Sequence, residues 1–190
     1  MHAPAATTTF AALALLLGTL NTLPVRAEPL NREQPVNIDA DKVTVDDRNK
    51  VHVFEGNVVL TQGTLTLRGT KLVVTQNAAG FHNGVVTAAA GQLATFRQKR
   101  ANADTWIEGE AERIEYNTQS EQARLFNRAR IQNGGDRVSG QYIEYDTVSE
   151  NYLVTDSPGR GSNEPAKERV HVTIQPKNDK NGTKADEKTR

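Results

Sequence analysis

The chain has 190 residues, of which 36% are apolar and 24% are charged, and it contains no cysteine. Its 23 basic and 23 acidic side chains balance, which argues against a nucleic-acid-binding protein, because neutralising phosphates requires an excess of basic groups. The lack of cysteine excludes a disulfide framework, a thiolate metal site and a cysteine nucleophile. The length fits one domain of ordinary size or two small ones.

The N-terminal segment predicts export. Residues 10–20 (FAALALLLGTL) form an apolar run that is too short to cross a bilayer but has the length of a signal-peptide h-region. Val25 and Ala27 supply small residues at positions −3 and −1, so cleavage is predicted before Glu28. The alternative is a buried N-terminal helix. We therefore expect residues 1–27 to be a cleaved signal peptide and residues 28–34 a short N-terminal extension of an exported protein.

From Pro35 to about Val154 the sequence predicts β-strands. Segments such as Val43-Thr44-Val45 and Ile143-Glu144-Tyr145 alternate apolar and polar residues, the period of a half-buried strand. Turn residues separate the segments, and strand starts recur roughly every ten residues, which is typical of antiparallel all-β folds. No segment of the exported chain predicts a convincing helix, and residues 97–104 (RQKRANAD) are predicted to be a loop.

The chain also repeats itself. Residues 40–74 align without gaps on residues 111–145, an offset of 71, and residues 114–121 align on residues 143–150. Both matches contain one short unit: a small residue, two variable positions, an apolar residue, one variable position and another apolar residue. The unit begins at Ala40, Gly69, Gly91, Ala111 and Gly140.

These units predict strands that turn a corner. Before each small residue the apolar residues lie at every second position counted back from it. After it they lie one position out of step, and a strand that keeps the same face inward must then contain a bulge or bend. A residue with little or no side chain fits a tight bend. Five corners favour a twisted antiparallel β-jellyroll of two facing sheets, open at both ends. The alternative is an ordinary β-sandwich with coincidental glycines.

The alternating pattern of apolar and polar residues ends after Val154. Residues 156–168 (DSPGRGSNEPAKE) are predicted to be a loop, and residues 169–174 alternate again, which predicts one last strand. The β-domain is therefore expected to span residues 35–175. Residues 176–190 contain no large apolar residue, so we expect a disordered polar tail.

The sequence offers little catalytic chemistry. The histidines are isolated, no nucleotide-binding loop is present, and neither a metal nor another cofactor is expected. Glu108, Glu110 and Glu112 share one strand face and could act as paired acid and base, although a solvated stripe is favoured. Asp39 and Asp41 offer a second carboxylate pair, and a calcium-binding loop pattern is missing.

The first strand predicts a docking edge. Its residues alternate, and proline stands only at the start, where it is tolerated. An unprotected edge carries unpaired N–H and C=O groups to which a partner can add a strand. An end-to-end contact of this kind does not close and so builds filaments. The expected edge comprises Pro35, Val36, Asn37, Ile38 and Asp39.

Residues 34–74 (QPVNIDADKVTVDDRNKVHVFEGNVVLTQGTLTLRGTKLVV) carry a family resemblance, which is most specific at Phe54–Val58 and Thr61–Gly63. Together with Ala94-Thr95-Phe96, Gly109-Glu110-Ala111 and Ile114-Glu115-Tyr116, they resemble the OstA-like family of periplasmic lipopolysaccharide-transport proteins over residues 34–175. The resemblance implies a periplasmic β-jellyroll whose apolar groove takes the acyl chains of lipopolysaccharide. It also implies head-to-tail stacking of copies between inner-membrane-anchored and outer-membrane transport proteins, with this chain as the free bridging member.

The resemblance also assigns a lipid-binding groove to the inward positions, with Phe96 and Tyr116 as the first choices for lipid contact. A scaffold of the same fold with a dry core, or an enzyme acting on envelope glycans, are the alternatives. The predicted lining residues are Val36, Ile38, Val43, Val45, Phe54, Val58, Leu60, Leu65, Leu67, Leu72, Val74, Phe96, Ile114, Tyr116, Leu125, Ile131, Ile143 and Tyr145.

Overall fold

The computed structural model describes residues 31–100, 104–157 and 169–176. The predicted signal peptide, most of the N-terminal extension, most of the predicted 156–168 loop and nearly all of the polar tail lie outside these residues. A single 3-10 turn, Asn31–Glu33, precedes the strands. The strands are β1 (Val36–Asp39), β2 (Lys42–Asp46), β3 (Val51–Gln62), β4 (Leu65–Asn77), β5 (Gly80–Thr87), β6 (Ala94–Lys99), β7 (Trp106–Ala111), β8 (Arg113–Asn117), β9 (Gln122–Asn133), β10 (Asp136–Asp146), β11 (Tyr152–Thr155) and β12 (His171–Thr173).

The strands form one antiparallel hydrogen-bonded system that folds into two sheets, as the sequence predicts. The first sheet has the order β1, β3 (58–62), β4 (65–69), β6, β7, β9 (129–133), β10 (136–140) and β12. The second has the order β2, β3 (51–55), β4 (71–77), β5, β8, β9 (122–126), β10 (142–146) and β11. The long strands β3, β4, β9 and β10 therefore each run through both sheets.

The five predicted corners lie where the chain passes between the sheets. Gly69 is the clearest example, because β4 pairs with β6 up to Arg68 and with β5 from Lys71 onward. A Cβ atom at Gly69 would lie 2.5 Å from Val86 Cγ2 and 2.6 Å from the carbonyl oxygen of Thr87. The small residue is thus required by the close approach of β5, which confirms the interpretation of this unit.

Two further corners lie in β3 and β9, where the sequence did not predict them. Gly56 and Asn57 have positive φ angles of 81° and 46°, and the β3–β4 register shifts between Glu55 and Val58. Asp41 holds this bulge, because its backbone N–H donates to the Gly56 carbonyl (3.0 Å) and its carboxylate accepts from Asn57 Nδ2 (3.0 Å).

The β9 corner repeats this arrangement. Asn127 and Arg128 have φ angles of 63° and 51°. The backbone N–H of Glu112 donates to the Asn127 carbonyl (3.1 Å), and its carboxylate accepts from Asn127 Nδ2 (3.2 Å) and Arg128 Nε (2.9 Å). Asp41 and Glu112 are 71 residues apart, as are the two bulges, so the sequence repeat is a structural repeat of strands and of the contacts that bend them.

The predicted loop at residues 97–104 is wrong in its first half. Residues 97–99 belong to β6, which pairs with β4 and β7. The charged side chains that suggested a loop occupy the outer face of the sheet, while Gln98 is buried. A strand with one solvated face tolerates this composition.

Candidate lipid-binding interior

The inward faces of both sheets meet in one apolar core, and most of the predicted groove residues lie in it. Thirteen of the 18 are no more than 3% exposed. They come from both sheets and follow the period of two along each strand. These residues are Val58, Leu60, Leu65, Leu67, Leu72, Val74, Phe96, Ile114, Tyr116, Leu125, Ile131, Ile143 and Tyr145.

The other five lie at the N-terminal end of the stack. Val36, Ile38 and Phe54 are partly buried and pack against the core. Val43 and Val45 are each 52% exposed, because β2 is the edge strand of the second sheet in the described residues. The alternation of β2 gives their direction, but no strand of the described residues covers them.

An aromatic cluster occupies the middle of the interior. The ring centroid of Phe96, in the first sheet, lies 6.4 Å from that of Tyr116 and 6.1 Å from that of Tyr145, both in the second sheet. Gly109 also lies opposite Leu125, and a Cβ atom there would be 2.9 Å from Leu125 Cδ2. The two sheets therefore pack directly on each other, and an acyl chain entering here would replace side-chain contacts.

Burial of the phenols raises their pKa values. Desolvation, with a smaller contribution from the charge of Glu121, raises the pKa of Tyr116 to about 12. Desolvation also raises the pKa of Tyr145. Both side chains remain neutral at physiological pH, so the interior presents no charge from these rings to an apolar ligand.

The Tyr116 pKa predicts a loss of stability at alkaline pH. A tyrosine in the unfolded chain has a pKa of about 10, so the neutral phenol favours folding fully below pH 10 and ceases to do so as the pH rises to about 12. Tyr116→Phe should reduce the fall in the free energy of unfolding between pH 10 and pH 12 by about 2 kcal/mol. Denaturant unfolding curves at several pH values, referred to pH 7, would measure it. If the free energy of unfolding fell equally in the wild type and in Tyr116→Phe, ionisation of the buried Tyr116 would not be its cause.

Both ends of the interior expose apolar side chains. At the N-terminal end these are Val43 and Val45 of β2. At the C-terminal end, Tyr152 of β11 is 43% exposed, and Val172 and Ile174, in and after β12, are 51% and 75% exposed. Val172 pairs with the buried Val138, and Tyr152 pairs with the buried Tyr145, so both continue the inward face. The apolar interior thus reaches both ends of the stack.

The predicted docking edge lies at the N-terminal end. β1 is the edge strand of the first sheet in the described part of the chain, and it pairs with β3. Val36 and Ile38 are half-buried against the core, whereas Pro35, Asn37 and Asp39 are exposed. The edge itself therefore presents backbone groups and polar side chains. The larger exposed apolar side chains at this end, Val43 and Val45, lie on β2.

The carboxylate stripe on β7 and the following corner faces outward, and each member is held by an arginine. Glu108 lies 3.0 Å from Arg97, Glu110 is ion-paired to Arg130, and Glu112 lies 2.9 Å from Arg128. Asp41 is likewise engaged at the β3 bulge. This arrangement favours a structural and solvated role for these groups over acid–base catalysis.

The sequence matches the family described as LptA/(LptD N-terminal domain) LPS transport protein over residues 37–151. The chain belongs to this family. It is 29% identical over 162 residues to the lipopolysaccharide export system protein LptH of Pseudomonas aeruginosa, covering 85% of this chain and 91% of that protein. It is 31% identical over 124 residues to LptA of Escherichia coli K12, covering 65% of this chain and 66% of that protein.

The crystal structure of Pseudomonas aeruginosa LptH, described as the periplasmic component of a lipopolysaccharide transport device, has the same fold. The TM-score is 0.69 at 28% sequence identity, and the match covers 78% of this chain and all of the LptH chain. The predicted family, the all-β jellyroll and the periplasmic location are thereby confirmed. In the described residues, no helix is long and apolar enough to cross a membrane.

Proposed function

We propose that this chain carries lipopolysaccharide across the periplasm, with the acyl chains held between the two sheets. The observation that supports this most directly is the apolar interior that runs through the stack and reaches both ends. Each buried CH₂ group contributes about 0.8 kcal/mol, so a lipid with several acyl chains needs continuous shelter from water. A continuous interior keeps this burial nearly constant as the lipid moves.

The chain also serves as a bridge in this proposal. Copies associate head to tail, and the terminal copies pair their edge strands with inner-membrane-anchored and outer-membrane transport proteins. The exposed residues Val43 and Val45 at one end and Val172 at the other extend the inward face, so end-to-end contact would join two interiors. β1 and β2 supply edges at one end, and β11 and β12 at the other.

A scaffold of the same fold without a ligand remains the second candidate, because the packed aromatic cluster is compatible with a dry core. The proposal includes no catalysis. The relatives are named as export system proteins, and the outward carboxylates are engaged by arginines.

A photo-crosslinkable residue at Phe96 or Tyr116 tests the proposed function. Both side chains are 1% exposed and lie in the middle of the interior. We expect crosslinking in cells to give a lipopolysaccharide adduct at both positions, detected as a shifted band that antibodies against lipopolysaccharide recognise.

The matched controls are Glu115, which lies beside Tyr116 on the opposite face of β8, and the exposed Thr44 of β2. Adducts at the inward pair alone would support the lipid conduit. A folded protein in a functional envelope that gives no adduct at either inward position would overturn the proposal and favour the dry scaffold.

A further inference from the structure

The outer face of the first sheet contains a concave cavity of about 550 Å³, and its lining also includes Phe96 and Gly109. It spans strands β4, β6, β7, β9 and β10, and its walls are mostly charged. The principal side chains are Arg68, Arg97, Glu108, Glu110, Arg130 and Arg137.

The strand register brings these side chains together in two rows. In the first row, Arg97 pairs across β6 and β7 with Glu108, and Glu108 pairs with Gln132, which in turn pairs with Arg137. In the second row, Arg68 pairs with Thr95, followed by Glu110 and Arg130. Residues directly opposite each other in neighbouring strands share a face, so both rows line the same trough.

The trough carries two more guanidinium groups than carboxylates. Arg97 and Arg130 are neutralised by Glu108 and Glu110. Arg137 donates a hydrogen bond to Gln132 Oε1 (3.0 Å) and has no carboxylate partner in the described residues. Arg68 is exposed, and within the described part of the chain no carboxylate pairs with it. These two arginines are available to bind anionic groups, for which a planar guanidinium is well suited.

An aromatic residue extends the trough. A second cavity of about 350 Å³ is lined by Trp106 and shares Arg97, Glu108 and Gln132 with the first. Trp106 is 38% exposed, and the Arg97 guanidinium carbon lies 4.0 Å from the centroid of its ring. Arg97 thus covers one face of the ring, and the exposed part of Trp106 offers an apolar surface for the carbon face of a sugar.

We propose that this trough is a second binding site, for an elongated acidic or phosphorylated saccharide. Arg68 and Arg137 bind its anionic groups, and Trp106 packs against one sugar ring. The carboxylate oxygens of Glu108 and Glu110 accept hydrogen bonds from hydroxyl groups, and the amide of Gln132 accepts or donates one. The two carboxylates disfavour a densely charged polyanion such as nucleic acid, since they would lie against its phosphates.

The spacing of the arginines sets the length of the ligand. Arg68 and Arg137 lie on β4 and β10, four strand intervals apart, which corresponds to about 19 Å of sheet. A ligand with two anionic groups separated by sugar units matches this spacing without requiring both side chains to extend toward one point.

Titration with tetragalacturonate, a linear saccharide with four carboxylates, tests the site. Trp106 is the only tryptophan of the chain, so its fluorescence reports directly on this face. We expect a saturable fluorescence change with tetragalacturonate and a much weaker response to neutral maltotetraose or to inorganic phosphate. The double variant Arg68→Gln/Arg137→Gln should weaken binding on the order of tenfold or more, because it removes two charge-assisted contacts.

The matched control is Arg48→Gln/Lys50→Gln, which removes two positive charges from the exposed turn between β2 and β3. All four side chains are exposed, so both variants should fold, which circular dichroism verifies. No fluorescence change in the wild type, equal weakening by the control pair, or equally tight binding of inorganic phosphate would each overturn the proposal.

Competition experiments then distinguish two sources of the same chemistry. Displacement of tetragalacturonate by deacylated lipopolysaccharide would assign the site to the saccharide of the proposed cargo, and displacement by solubilised cell-wall glycan to the surrounding envelope. Displacement by neither would overturn an envelope role for the site. None of these ligands contains acyl chains, so the outcome is independent of the proposed lipid interior.

Discussion

Replacing Gly69 with alanine is expected to lower the free energy of unfolding by about 3 kcal/mol, the upper part of the range for overpacking a core. The added methyl group would lie 2.5 Å from Val86 Cγ2 and 2.6 Å from the carbonyl oxygen of Thr87. Val86 is fully buried and β-branched, and the carbonyl belongs to the backbone, so neither can move aside without displacing β5. Chemical denaturation of the purified protein would measure the change.

Gly135→Ala is the matched control for this substitution. Its methyl group would meet only Cβ and Cγ of the Gln175 side chain, at 3.1 and 2.8 Å, and this side chain is exposed to solvent, where it can change rotamer. We expect a change below about 1 kcal/mol at this site. If both variants unfolded at the wild-type denaturant concentration, the corner at Gly69 would not depend on the close approach of β5.

The corners show what sequence periodicity predicts and what it leaves out. At Ala40 and Gly69 a small residue coincides with a shift in apolar parity, and this signal alone predicts the bend. At Asn127 and Arg128 neither residue is small, and the bulge exists because Glu112 accepts hydrogen bonds from both side chains. The signal for it lay in the repeat, since Asp41 and Gly56 stand 71 residues earlier, but it requires knowledge of which side chains meet across strands.

The candidate site, too, can be predicted from sequence periodicity only in part. Alternation correctly gives the inward direction of Leu60, Phe96 and Tyr116, because a single period of two determines which face is buried. It does not indicate how completely a strand is covered, so it groups Val43 and Val45 with the core although they lie on an edge strand. The outer trough was missed for a related reason: Arg68, Glu110 and Arg137 are distant in sequence and become neighbours only through the register of five strands.

A charge at either end of the stack is expected to weaken self-association strongly. Val43→Lys at the N-terminal end and Val172→Lys at the C-terminal end each replace an apolar, half-exposed side chain with one that ends in an ammonium group. The proposed contact would bury both positions. Losing the burial of one valine and desolvating a charge should weaken association on the order of a hundredfold. Sedimentation velocity over a range of concentrations would measure this, with Thr44→Lys and Thr173→Lys, on the opposite faces of the same strands, as controls.

Mixing the two end variants then tests the direction of the contact. In a head-to-tail arrangement each variant alone has lost one of the two surfaces that every contact needs, so each should be monomeric. A mixture retains one intact pair of ends, the C-terminal end of Val43→Lys and the N-terminal end of Val172→Lys, and should form dimers but no longer filaments. A symmetric contact between like ends predicts the reverse, because one variant alone would still dimerise and mixing would add nothing. The same apolar ends that extend the interior would therefore also determine the polarity of the proposed bridge.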